Sequence, residues 1–142
     1  MLNNESKYAM RGVIYLAIHA SEINKLGSKE VGEAIKVPLP FLAKIFQHLK
    51  KENIISSSKG PKGGFYLTEE QLTGNLMSVI QHIDGTDSFN SCYMGLSKCS
   101  DKDPCSIHYL VSPFNNKVKE ELQKRSIADF AKDVKQGKSH LF

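Results

Sequence analysis

Three cysteines and a histidine fall within seventeen residues, in the spacing Cys92-x6-Cys99-x5-Cys105-x2-His108. Thiolate sulfur and imidazole nitrogen are the donors that iron–sulfur clusters and zinc select. The segment that carries them, residues 91–106, is rich in Gly, Ser and Asp and does not read as a core-forming run, so ligation is the chemistry it offers. An odd count of three argues against a closed disulfide framework. Structural zinc is a competing reading, but zinc modules favour close Cys-x2–4-Cys pairs, and here the ligands are spread singly. A cluster-free switch is another, responding either to a small-molecule effector or to thiol oxidation, in which Lys98 and Lys102 would acidify a thiol while Asp101 and Asp103 oppose them. An enzyme or small electron carrier finds no support: there is no phosphate-cradling glycine loop, no nucleophile with an orienting base and no second cysteine cluster.

The chain has 142 residues, of which 40% are hydrophobic, enough for one compact domain with a helical extension but not for a large catalytic scaffold. Its start lacks a basic then apolar leader, and its longest apolar-rich stretch, residues 13–20, is too short to cross a bilayer. A cytoplasmic, non-membrane protein is expected, in a compartment where thiols stay reduced. The net charge of +4 is unevenly spread. Residues 1–68 carry ten Lys/Arg against five Glu, whereas residues 69–142 sum to −1. Six lysines between Lys36 and Lys62 face a single acid, Glu52. A local basic stripe on a balanced protein suits a phosphate backbone, although a solvated helix face has the same composition.

Hydrophobic periodicity organises the first half. Val13, Leu16, Ala17 and Ala20 mark a helix over residues 8–20. Ser28 reads as the N-cap of a second helix with Val31, Ala34 and Ile35 on its apolar face. After the Pro38 and Pro40 turn, Leu42, Ile45, Phe46 and Leu49 form the strongest amphipathic pattern of the chain. The opposite face of this third helix presents Ala43, Lys44, Gln47, His48 and Lys51, groups able to reach base edges and phosphates. Two β-prone runs, residues 54–57 and 65–67, flank Ser58-Lys59-Gly60-Pro61-Lys62-Gly63-Gly64 and predict a hairpin with a basic, glycine-rich tip. Two helices at a turn followed by a hairpin spell a winged helix-turn-helix.

Beyond the wing, Thr68 and Asn75 are expected to cap two short helices, the second stopped by Gly85. After the cysteine loop, Ser112-Pro113 reads as the start of a long helix whose Phe114, Val118 and Leu122 continue the spacing from Leu110. Ser126 to Asp129 reads as the capping start of a terminal helix. One narrow apolar stripe on a long helix wants a partner, and a homodimer is expected. The fold class is therefore mainly α with a small β-hairpin wing, a winged helix-turn-helix domain plus a long C-terminal dimerisation helix. The expected segments are residues 1–85 for DNA binding, 86–108 for the cysteine loop, 109–135 for the dimerisation helices and 136–142 for a loose tail. Tyr8 and Tyr15 are expected against the wing or the partner subunit, the latter able to shield the cysteine site with its first helix.

This order of parts resembles the Rrf-two type transcription regulators, the family of iron–sulfur cluster regulators and nitric-oxide sensors. The resemblance spans nearly the whole chain. It rests on Lys7-Tyr8-Ala9, Pro40-Phe41-Leu42, Gly60-Pro61-Lys62-Gly63-Gly64, the three cysteines with His108, and Ser126-Ile127-Ala128-Asp129-Phe130. It implies a cluster held by Cys92, Cys99 and Cys105 and a cluster-dependent grip on a palindromic double-stranded DNA operator. For the fourth ligand it points to His108, because the alternative in the family is a carboxylate where this chain has Lys7. That favours 2Fe-2S over 4Fe-4S. It also implies DNA contacts from Ser28, Pro40, Phe41, Ala43, Lys44, Gln47, His48, Lys51, Lys59, Gly60, Pro61, Lys62 and Gly63. Two departures stand out. The first cysteine gap is one residue longer than in the familiar members, and Ala43 replaces an acidic base-reading side chain, so operator preference does not carry over.

Overall fold

The computed structural model describes residues 2–85 and 87–142, so Thr86, where the cysteine segment was expected to begin, and Met1 lie outside the described residues. The first helix, α1 (Asn4–His19), starts four residues ahead of expectation because the Asn3 side chain accepts from the Ser6 amide at 2.8 Å and Glu5 sits in the first turn. In α2 (Ser28–Ile35) the N-cap is Gly27, not Ser28, which is the first helical residue and makes no capping bond. A turn through Lys36 leads to α3 (Leu39–Lys51), with Pro40 in its first turn and Leu42, Ile45, Phe46 and Leu49 buried as the periodicity required. Then α3 closes through Asn53, at φ 59°, with the Ile54 amide donating to Leu49 O. That closure uses up Ile54, so the first strand, β1 (Ser56–Ser58), begins later than expected, and its antiparallel partner β2 (Gly64–Tyr66) earlier.

A third line of pairing supports the wing. Leu26, between α1 and α2, exchanges two backbone bonds with Phe65, at 3.1 and 2.7 Å. Next to it Gly64 sits at φ 147°, where a Cβ would lie 2.7 Å from the Leu26 carbonyl oxygen, so only glycine lets the two backbones meet. Two short helices follow. In α4 (Glu69–Leu72) Thr68 and Gln71 form a full capping box, and in α5 (Leu76–Asp84) Asn75 caps and Gly85, at φ 76°, ends the helix.

The long helix α6 (His108–Lys124) starts earlier than the Ser112-Pro113 reading, and Pro113 lies inside it. The Leu110 and Val111 amides already bond to Ile107 O, so the turn is established before the proline, which costs the Tyr109 carbonyl its helical partner. The last helix, α7 (Ile127–Lys135), has Ser126 and Asp129 as a reciprocal cap and packs on α1 within the chain, with Ile127 and Ala131 buried. Its tie to the wing side is direct, since the Ile127 amide donates to Gly74 O at 2.8 Å. One hydrophobic core runs from Ala9 through Phe46, Phe65 and Ile80 to Leu122 of α6 and Ile127 of α7. The expected loose tail is held at one point, where Leu141 packs on this core and its carbonyl accepts from Arg11 Nε at 2.9 Å. Among the described residues no helix is long and apolar enough to cross a membrane.

Candidate metal centre and nucleic-acid interface

The cysteine segment is tied to the fold at both ends. On its N-terminal side Phe89 is buried in the core, its carbonyl accepts from Asn115 Nδ2 of α6 at 3.3 Å, and Asn90 Oδ1 accepts from Lys119 Nζ at 2.7 Å. On its C-terminal side the His108 amide donates to Cys105 O at 3.1 Å and opens α6. Between these anchors, turns do the folding. The Gly95 amide donates to Cys92 O at 2.9 Å, and Ser100 and Asp103 exchange two backbone bonds of 3.1 Å.

These turns bring the thiols together. The sulfurs of Cys92, Cys99 and Cys105 all lie within 4.8 Å of one another, and each cysteine is half-buried and unpaired. With the longer first gap, Cys92 still lies beside the other two sulfurs, and the gap contains the turn closed by the Gly95 amide. His108 Nδ1 lies 3.3 Å from Cys99 Sγ, and the four residues line an open cavity of about 350 Å³ floored by α6. The three sulfurs form the close set, His108 joins it from the side of Cys99, and three soft sulfur donors with a neighbouring imidazole nitrogen fit an iron–sulfur cluster or a zinc ion by donor type.

The thiols are not electrostatically alike. The Leu96 backbone amide, working against partial desolvation and helped by the Met94 amide and the other two thiols, lowers Cys92 to about 7. Cys92 thus offers a thiolate close to neutrality, chiefly because backbone amides donate to it. At Cys99 the Cys105 amide, donating at 3.4 Å, favours the thiolate, but desolvation and the neighbouring thiols outweigh it and raise the group.

The expected nucleic-acid residues fall on two surfaces. On α3, Phe41, Lys44, Gln47 and Lys51 are exposed along one side, with Pro40 at its start, while Ala43 is half-buried. Phe41 packs against Tyr8 at 6.4 Å between ring centroids, so Tyr8 braces the start of α3 rather than the wing; Tyr15 lies tilted against the His19 ring at 4.3 Å. At the hairpin tip Lys59, Gly60, Pro61 and Lys62 are exposed. Gly63 has a structural reason to be glycine, since a Cβ there would lie 2.4 Å from Ser58 O. Ser28 is half-buried at the start of α2. His48 is exposed, but its Nε2 lies 2.8 Å from the His82 carbonyl at the end of α5, a tie between α3 and the helix that leads into the cysteine segment. Sequence reasoning missed this tie and a second one, His108 Nε2 to Asp101 Oδ1 at 2.8 Å. Both depend on which carbonyl or carboxylate a turn presents, and periodicity does not report that.

Comparison with known proteins agrees with this architecture. The Rrf2 model, described as "Iron-dependent Transcriptional regulator", matches residues 2–133. An Aquifex aeolicus chain named for an HTH-type transcriptional regulator is 28% identical over 138 residues, covering 96% of this chain and 92% of that one. The HTH-type transcriptional regulator IscR of Vibrio campbellii is 23% identical over 132 residues, covering 93% of this chain and 77% of the relative. Among solved structures, CymR, the global cysteine regulator of B. subtilis, superposes with a TM-score of 0.72 at 19% identity, covering 93% of this chain and 96% of that one. IscR of T. potens superposes with a TM-score of 0.71, also at 19% identity, covering 98% and 91%. The winged helix-turn-helix with a following long helix is thus a shared fold, and the chain belongs to the Rrf2 family of transcriptional regulators.

Proposed function

We propose that this cytoplasmic regulator binds a palindromic DNA operator as a homodimer, with an affinity set by a 2Fe-2S cluster held by Cys92, Cys99, Cys105 and His108. The observation that carries the reading is the meeting of three thiol sulfurs within 4.8 Å beside the imidazole that opens α6. When bound, such a cluster supplies a group that changes charge on reduction or is lost to oxidants while the polypeptide stays intact. The chain's own residues translate occupancy into geometry. Cys92 lies just beyond Phe89 and Asn90, which α6 holds through Asn115 and Lys119, while His108 is the first residue of α6 and Cys105 lies three residues ahead of it. Drawing the four donors together fixes the start of α6 against the end of α5. The His48 to His82 tie carries the position of α5 to the recognition helix α3.

The dimer reading rests on Tyr109, Leu110 and Phe114, which are 67, 77 and 63% exposed along α6 although the same stripe is buried by Leu122. Apolar groups left open on a helix in the one-chain structure fit a second copy of the same helix. Two α3 helices then face successive major grooves, with Lys44, Gln47 and Lys51 toward DNA and Lys59 and Lys62 along the flanking backbone.

A second reading draws on the thiols alone. Two sulfurs this close can close a disulfide, giving two electrons and two protons to an oxidant such as a peroxide. Anaerobic purification followed by visible absorption and iron, sulfide and zinc analysis separates the cases. Near-equal iron and sulfide supports the cluster, and operator binding on a duplex selected from random DNA should then be lost or gained with the cluster. Cys99→Ala and Cys105→Ala are expected to abolish that cluster dependence yet leave a folded dimer. Stoichiometric zinc without colour makes the site structural, and a metal-free protein whose DNA binding follows peroxide leaves the thiol switch.

A further inference from the structure

The histidine of the candidate centre has two neighbours, one on each ring nitrogen. Nδ1 faces Cys99 Sγ at 3.3 Å, and Nε2 faces Asp101 Oδ1 at 2.8 Å. An ionised carboxylate only accepts hydrogen bonds, so the nitrogen facing it must carry the proton. In the neutral ring that leaves Nδ1 with its lone pair, on the side that faces Cys99 Sγ in the cavity lined by the three cysteines. We propose that Asp101 is a positioning residue for the metal centre, holding His108 in the Nε2–H form with Nδ1 as the ligating atom. The proposal rests on the metal-binding reading of the thiol cluster.

The loop is built to place this carboxylate. The backbone bonds between Ser100 and Asp103, with the Ser100 hydroxyl accepting from the Lys102 and Asp103 amides, make a tight turn whose second residue is Asp101. Tyr109, the next residue of α6, packs edge-on against the His108 ring at 5.4 Å and limits its rotation. The imidazole is 15% exposed and the carboxylate 86%, so the histidine sits inside the site with the aspartate at its rim. Asp101 therefore acts on the metal through His108 and from outside the donor set. A carboxylate on the outer nitrogen orients the ring and raises the basicity of the inner one, and losing such a partner typically lowers metal affinity by about 10- to 100-fold.

Anaerobic cobalt(II) titration of the full-length, metal-free protein against a competing chelator tests this directly, because the visible bands of bound cobalt report its ligand set. Asp101→Ala should bind cobalt about 10- to 100-fold more weakly than the unaltered protein while keeping a three-sulfur, one-nitrogen spectrum. Asp101→Asn, which keeps an acceptor oxygen, should recover part of the loss. In a His108→Ala background Asp101→Ala should have no further effect. Affinity unchanged by Asp101→Ala, or lowered equally with and without His108, would overturn the proposal while leaving the metal site standing. Failure of the unaltered protein to bind cobalt with thiolate charge-transfer bands would instead overturn the metal reading itself, and the inference with it.

Discussion

Single residues carry both the chemistry and several of the fold's fixed points. Asp129 is an example of the second kind. Its carboxylate accepts from the Ser126 amide at 2.9 Å, and this bond, the Ser126 hydroxyl and the nearby Arg125 and Lys132 charges hold it below its ordinary value. A group depressed in the folded state contributes stability that is present above its unfolded pKa and disappears as pH falls through the folded one. Asp129→Ala is therefore expected to lower the melting temperature at neutral pH, with the gap to the unaltered protein closing as pH falls through and below the ordinary carboxylate range. Thermal unfolding followed by circular dichroism across that range checks it; a gap constant with pH would show that the carboxylate charge is not what stabilises α7. This cap was legible in the sequence, as were Thr68 and Asn75, because a cap is decided within four residues. The Asp101 to His108 pair was not. Asp101 and Asp103 look alike as letters, and only the turn at Ser100 decides which of them meets the imidazole.

At the scale of elements, the apolar stripe of α3 was readable because its period is set by the helix itself, and Leu42, Ile45, Phe46 and Leu49 are all buried. The wing was readable as a hairpin but not in register, since Asn53 and Ile54 close α3 and shift β1, and Leu26 pairs with Phe65 from nearly forty residues away. Pro113 misled in the other direction: proline favours a first turn statistically, yet here it lies within a helix already begun at His108. The exposed end of α6 has its own test. Phe114→Glu or Leu110→Glu should convert a dimer to a monomer in light scattering coupled to gel filtration, with α-helical content preserved because neither side chain is buried within one chain. A dimer that survives both substitutions would move the interface elsewhere. The hairpin tip has another test. Lys59→Ala with Lys62→Ala should weaken binding to all duplexes alike and reduce the slope of log affinity against log salt by about 2, one unit per lost phosphate contact. A loss confined to one base pair of the operator would instead assign these lysines a base-reading role.

For the whole molecule, the proposed control of DNA binding requires a path from the half-buried cysteines ahead of α6 to the recognition helix α3. α3, α5 and α7 share the single core from Ala9 to Ile127, and α6 enters it at Leu122. The proposed joint is the opposite end of α6, where Tyr109, Leu110 and Phe114 stay exposed beside the four candidate ligands. In a dimer built on α6, a change at that joint moves both α3 helices relative to each other. Two recognition helices engage a palindrome only when their separation matches successive major grooves, about 34 Å along one face of the duplex. Two consequences should then appear together in electrophoretic or fluorescence binding assays. Inserting about five base pairs between the half-sites, half a helical turn, should reduce binding of the cluster-loaded protein to its non-specific level. Cys99→Ala should reduce the preference for correct spacing while leaving non-specific binding intact, since the lysines of α3 and the wing are untouched. If the variant discriminates spacing as well as the loaded protein does, the thiol centre does not set the distance between the two recognition helices, and its influence on DNA must pass through each winged domain separately.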